Sequence, residues 1–248
     1  MSNPAQRPPS DSSFLELATQ VTTELLLLGL SCLAGMSLLM VLMWTSVIPE
    51  SAPWAAIIAG PVFIGTAGAV YLAIEQKLAT NDGPVRPLVW GRDRKAPEVC
   101  VAIALGGIIA AIAGSALLGL IQEQLFSTQV EEQEAIVALV ERGDPFELGL
   151  LAASAVILAP LTEELLFRHM FFRRLLHRAG PIAAWALPAL AFAFAHWNPV
   201  GLVIYVWLGL VFAFCYLVSG RLWVAMAVHA GHNAIVLSLL VYAPDLAP

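Results

Sequence analysis

The sequence predicts an all-α, polytopic membrane bundle of about seven transmembrane helices, or eight. Three observations predict it. Hydrophobic residues make up 59% of the 248, and charged residues only 12%; the mean hydropathy is +0.81. The apolar residues fall into runs close to the ~20 residues that cross ~30 Å of hydrocarbon as a helix. The lysines and arginines, finally, crowd into alternate connections between those runs, the asymmetry that orients membrane proteins. No soluble class has this composition, and the net charge of −6 matters less than its distribution.

Residues 1–20 are rich in Pro and Ser with Arg7 as their one basic residue, which predicts a flexible tail. A leader needs a positive start and a short apolar core, so the first apolar run is expected to remain as a span. Spans are expected over 25–47, 54–76, 99–121, 146–167, 181–197, 200–219 and 222–242, the fifth short and containing Pro188. Residues 21–145 hold three of these, a connection over 77–98 with Pro84, Pro87, Pro97 and Trp90, and an acidic segment over 122–145. Within that segment Ile136, Leu139 and Val140 share a helical stripe, so a short amphipathic helix is expected on the outer surface. Residues 146–242 hold the remaining spans and every polar group suited to chemistry.

With the N-terminus in the cytoplasm, Arg7, Lys77, Arg86, Arg92, Arg94, Lys95, Arg168, Arg173, Arg174, Arg178 and Arg221 fall on the inner side and Arg142 outside. An integral protein of a cytoplasmic (inner) membrane is expected. The composition excludes nucleic-acid recognition, since no basic patch with interleaved aromatics exists away from the spans. Cys32, Cys100 and Cys215 lie in apolar runs and read as buried small hydrophobes, not as a disulfide framework.

Span four carries the most informative residues. A charged side chain at bilayer depth costs at least ~2.5–3.5 kcal/mol on insertion scales, which makes intramembrane ionisable groups functional candidates. Glu163 and Glu164 stand side by side in an apolar run, with Arg168 four residues after Glu164. That spacing and order suit an ion pair on one helix face, leaving Glu163, about 100° round the helix, as the carboxylate available as a general base. Pro160 removes an amide donor just before the pair, and such a break is tolerated where protein or water satisfies the freed carbonyl. Span five ends in His196, and span seven presents His229 and Asn233 on one face with His232 at its edge. His169 and His177 are expected to be solvated. By residue count, however, straight vertical spans put Glu163 and His196 at different depths.

The groups Glu163-Glu164-x-x-x-Arg168, Phe192-x-x-x-His196 and His229-x-x-x-Asn233 resemble the three motifs of the CPBP intramembrane proteases. That family includes type II CAAX prenyl endopeptidases, Abi-type immunity proteins and bacterial C-terminal sorting-signal proteases. The resemblance implies hydrolysis of a membrane-anchored or lipidated protein near its C-terminus, at the lipid bilayer of a bacterial inner membrane. Glu163 and His196 would polarise a water, Glu164 and Arg168 would form the supporting pair, and His229 with Asn233 would donate to the oxyanion. Glu163, His196 and His229 also form an O,N,N set that could take one divalent zinc, with water in the fourth place, although the His-Glu-x-x-His helix of zincins is absent. Two rivals stand beside this reading: an ion-coupled transporter using the same buried groups, and a catalytically silent immunity or chaperone protein.

Overall fold

The structure, a computed structural model, describes residues 11–82, 95–126 and 134–243. Arg7, Pro84, Pro87, Trp90 and the acidic stretch at 127–133 lie outside the described residues. Among those described, the helices are α1 (Asp11–Trp44), α2 (Pro53–Asp82), α3 (Pro97–Phe126), α4 (Glu134–Arg142), α5 (Pro145–Arg178), α6 (Gly180–Ala195), α7 (Leu202–Ser219) and α8 (Leu222–Tyr242). Six are long and apolar enough to cross a membrane, and α6 is a shorter apolar helix of 16 residues. This is the expected helical bundle.

Two boundaries differ most from expectation, for physical reasons. Helix α1 begins at Asp11, so residues 11–20 are helical and not a tail. Phe14, Leu15 and Leu17 extend its apolar surface outward, while Thr19 and Thr23 return their hydroxyls to the carbonyls four residues earlier. Helix α5 runs on past 167 to Arg178, because its arginines find buried partners in α1 and α2 and need no aqueous loop. It then reverses at Ala179–Gly180, where Gly180 takes the left-handed φ of +84° that the turn requires. The start of α5 is fixed by Asp144, whose carboxylate accepts from the Glu147 amide at 2.9 Å, with Pro145 at the first helical position.

Helix α5 holds the two halves of the molecule together. On one side it packs against the α1–α2 hairpin, on the other against α6, α7 and α8. Leu166, Phe167, Phe171, Phe172 and Leu175 are consequently all but inaccessible, whereas Leu26, Leu30 and Leu33 of α1 and Leu105 and Ile109 of α3 face outward, as lipid-facing side chains should.

The same helix is not uniformly α. Ser154–Leu158 and Glu164–Phe172 are wound as π-helix on either side of the Pro160 turn. Widening relieves the clash between a proline ring and the carbonyl four residues before it, and it leaves carbonyl groups for outside donors. Ala155 O accepts from the Asn233 side-chain amide at 2.8 Å. The Ser154 hydroxyl, in turn, donates to Ile57 O of α2 at 2.9 Å.

Candidate active site

The hairpin of α5 and α6 resolves the apparent depth mismatch. From the turn at Ala179, Glu163 lies roughly 16 residues back and His196 roughly 17 forward, each about 24 Å along an antiparallel helix. The two are therefore level. Sequence counting misplaced them by ending span four near Arg168.

Adjacent positions on α5 send the two glutamates into different environments. Glu164 is fully buried; its Oε1 accepts from Arg168 Nη1 at 3.0 Å and from His229 Nδ1 at 3.0 Å. Arg168, also fully buried, donates through Nη2 to Gly209 O at 3.1 Å. Its guanidinium lies 4.6 Å from the Phe192 ring centroid and 5.3 Å from that of Phe212, a sandwich that supplies the cation with quadrupolar faces where water is absent. Helix α7 comes close enough to offer its carbonyl only because residue 209 is glycine: a Cβ there would meet Ala189 Cα at 2.9 Å.

Glu163 points elsewhere. It lines a cavity of about 940 Å³ together with His196, His229 and Asn233, closed in by Leu39, Ile57, Phe63, Ile64, Leu139 and Leu151. Its Oε2 is buried and lacks a hydrogen-bond partner. The division expected from helix spacing, one glutamate locked and the other turned to the cavity, is what the geometry contains.

Two ring orientations are set by their partners. His196 Nδ1 lies 2.8 Å from Phe192 O, and the ring stacks on Tyr205 at 4.1 Å between centroids. A carbonyl only accepts, so Nδ1 carries the proton and Nε2 of the neutral ring is an acceptor. His229 Nδ1 likewise donates to the Glu164 carboxylate, while its ring stacks on Phe212 at 4.6 Å. Its Nε2 becomes a donor only when the ring carries both protons. Asn233 gives one amide N–H to Ala155 O and accepts from His232 Nδ1 at 3.2 Å through Oδ1; the second N–H remains for the cavity that the side chain lines. His232 belongs to the same polar chain but is absent from the cavity wall.

Of the other histidines, His177 is exposed as expected. His169 is only partly exposed, with Nδ1 3.3 Å from the Tyr216 hydroxyl, because the prolonged α5 holds it against the bundle. Among the described residues no three His, Cys, Asp or Glu side chains are grouped to hold a metal ion. Glu163, His196 and His229 line one cavity, and no chemical step is assigned to a metal there. The three cysteines are free; Cys100 and Cys215 are buried as expected, whereas Cys32 is half-buried.

Sequence reasoning missed the residues that support the site. Gly209 and Phe212 of α7 hold Arg168, yet neither stands out among apolar neighbours. It also missed a second buried charge cluster near the end of α5. Glu24 of α1 takes Arg174 at 2.7 and 2.8 Å and the Tyr71 hydroxyl at 3.1 Å, and Glu75 of α2 takes Arg173 at 3.0 Å. Single acids near the ends of apolar runs, at Glu24 and Glu75, were the available signal.

Comparison with known proteins matches the part of the chain that carries these residues. Residues 145–235 match the family model described as type II CAAX prenyl endopeptidase Rce1-like. The chain is 25% identical over 135 residues to YdiL of Bacillus subtilis (strain 168), a protein described as a candidate membrane peptidase. That alignment covers 54% of this chain and 53% of the relative, so the chain spans about half the length of the relative it matches. No solved structure matches. Over residues 145–235, which carry the motifs of α5, α6 and α8, the chain is thus similar to type II CAAX prenyl endopeptidases of the Rce1-like family.

Proposed function

We propose that the protein is an intramembrane endopeptidase that uses Glu163 to activate water against a peptide bond of a membrane-anchored substrate. One observation carries the reading. Glu163, His196, His229 and Asn233, from three helices, line one mostly apolar cavity, while the neighbouring Glu164 is consumed by Arg168 and His229.

In this mechanism a water donates one hydrogen to Glu163 and the other to His196 Nε2. Glu163 takes the proton as the water oxygen bonds to the scissile carbonyl carbon. The carbonyl oxygen becomes an oxyanion and accepts from the doubly protonated His229 and from the second N–H of Asn233. As the C–N bond breaks, the nitrogen takes the proton that Glu163 holds, leaving a carboxyl and an amine product. Glu164 and Arg168 do not touch the substrate; they fix the His229 ring. No Lys or Arg stands among the described residues lining the cavity.

Purified wild-type and Glu163→Gln proteins, reconstituted with membrane substrates from a strain lacking the protein, provide the test. Glu163-dependent release of a new fragment is expected; equal fragment release by both proteins would contradict the proposal. Stoichiometric metal in active protein, with loss of activity on chelation, would favour the zinc reading over water held by side chains alone.

A further inference from the structure

The described lysines and arginines, Arg168 aside, separate sharply between the two ends of the bundle. Lys77 lies near the end of α2, Lys95 just before α3, Arg173, Arg174 and Arg178 at the end of α5, and Arg221 just before α8. Contacts tie these together at one end: Arg221 donates to Lys95 O at 3.2 Å, Arg173 pairs with Glu75, and Arg174 and Arg178 both approach Glu24. The opposite end has Arg142 alone, paired to Glu147 at 3.1 Å. Such asymmetry puts the basic end in the cytoplasm.

The cavity lies toward the other end. Its wall takes Leu39 from the last turns of α1, Ala56 and Ile57 from the first of α2, Leu139 from α4, Leu151 from the start of α5, and the turn at 196–200 after α6. Glu163 and His196 stand about 24 Å from the arginine-side turn, most of the way across a ~30 Å hydrocarbon layer. Below them the bundle is shut by the Phe167, Phe171, Phe172 and Leu175 side chains, each at most 2% exposed, and by the buried Glu24–Arg174 pair.

Resting on the protease reading, we infer that the site is fed from the extracytoplasmic face. Its substrate is a membrane-anchored protein whose scissile segment sits at the outer leaflet, extended and free of charged side chains where it meets the apolar wall. A lipidated tail presented from the cytoplasm has no route to Glu163 through the closed arginine end.

Accessibility tests this without any turnover. Ala159→Cys and Ala195→Cys place thiols in the cavity wall, Trp197→Cys marks its rim and His177→Cys the arginine end. Each variant is treated with a membrane-impermeant methanethiosulfonate in right-side-out and in inverted vesicles, with the unsubstituted protein as baseline for the native cysteines. The expected result is modification of the cavity and rim thiols in right-side-out vesicles only, and of His177→Cys in inverted vesicles only. Cavity thiols that react only in inverted vesicles, or in neither preparation while Trp197→Cys and His177→Cys both react, overturn the inference. Outward access in a protein with no Glu163-dependent cleavage would instead remove the protease reading and leave the access route standing.

Discussion

Arg168 and Glu164 form a pair that cannot be halved cheaply. Both are fully buried, and removing one partner of such a pair costs about 3–5 kcal/mol because the other charge is stranded. Arg168→Leu and Glu164→Ala are therefore expected to lower thermal stability in detergent by that order as well as activity. Glu163→Gln should leave the melting temperature unchanged, since its Oε2 has no partner to lose. Asn233 gives a second residue-scale test. Its amide donates to Ala155 O, so Asn233→Asp sets a carboxylate against a carbonyl and should melt lower than Asn233→Ala, by about 1–3 kcal/mol. A more stable Asn233→Asp protein would show that this amide does not clamp the widened turn of α5.

At the scale of elements, the contact of α7 with α6 decides where Arg168 can rest. Gly209→Ala is expected to push the helices apart and cost about 1–3 kcal/mol by overpacking, with loss of activity through the displaced Arg168. Gly60→Ala and Gly68→Ala in α2, where a Cβ meets nothing within 4 Å, should be neutral or slightly stabilising because alanine favours helix. Thermal unfolding of the three variants side by side checks the claim. Much at this scale was legible in the sequence: spans follow from hydropathy, the Glu164–Arg168 pair from spacing, and α4 from the stripe of Ile136, Leu139 and Val140, with Leu139 buried against Ile57 and Leu151. The π-wound turns were not legible. Pro160 announces a break, but how the backbone takes it up depends on donors from α8, far away in sequence.

At the scale of the whole molecule, the sequence could not show what closes the arginine end. Arg173 and Arg174 read as ordinary flanking cations; Arg174 is buried and Arg173 half-buried because Glu24 and Glu75 come from other helices to meet them. Such pairings join positions 150 and 98 residues apart, and no local pattern encodes them. Glu24→Ala is expected to strand Arg174 and loosen α1 from α5, costing about 3–5 kcal/mol, with activity falling in proportion to unfolded protein; wild-type stability in that variant would show the cluster to be dispensable.

Glu163 is the hinge of the functional account, and turnover at that residue measures it most directly. Folded wild-type and Glu163→Gln proteins, matched in melting temperature, are compared for cleavage of the same membrane-anchored substrate in reconstituted vesicles. The account predicts a loss on the order of 10²–10⁴ in rate, the contribution of a positioned general base; a Glu163→Gln protein that cleaves at the wild-type rate would contradict it.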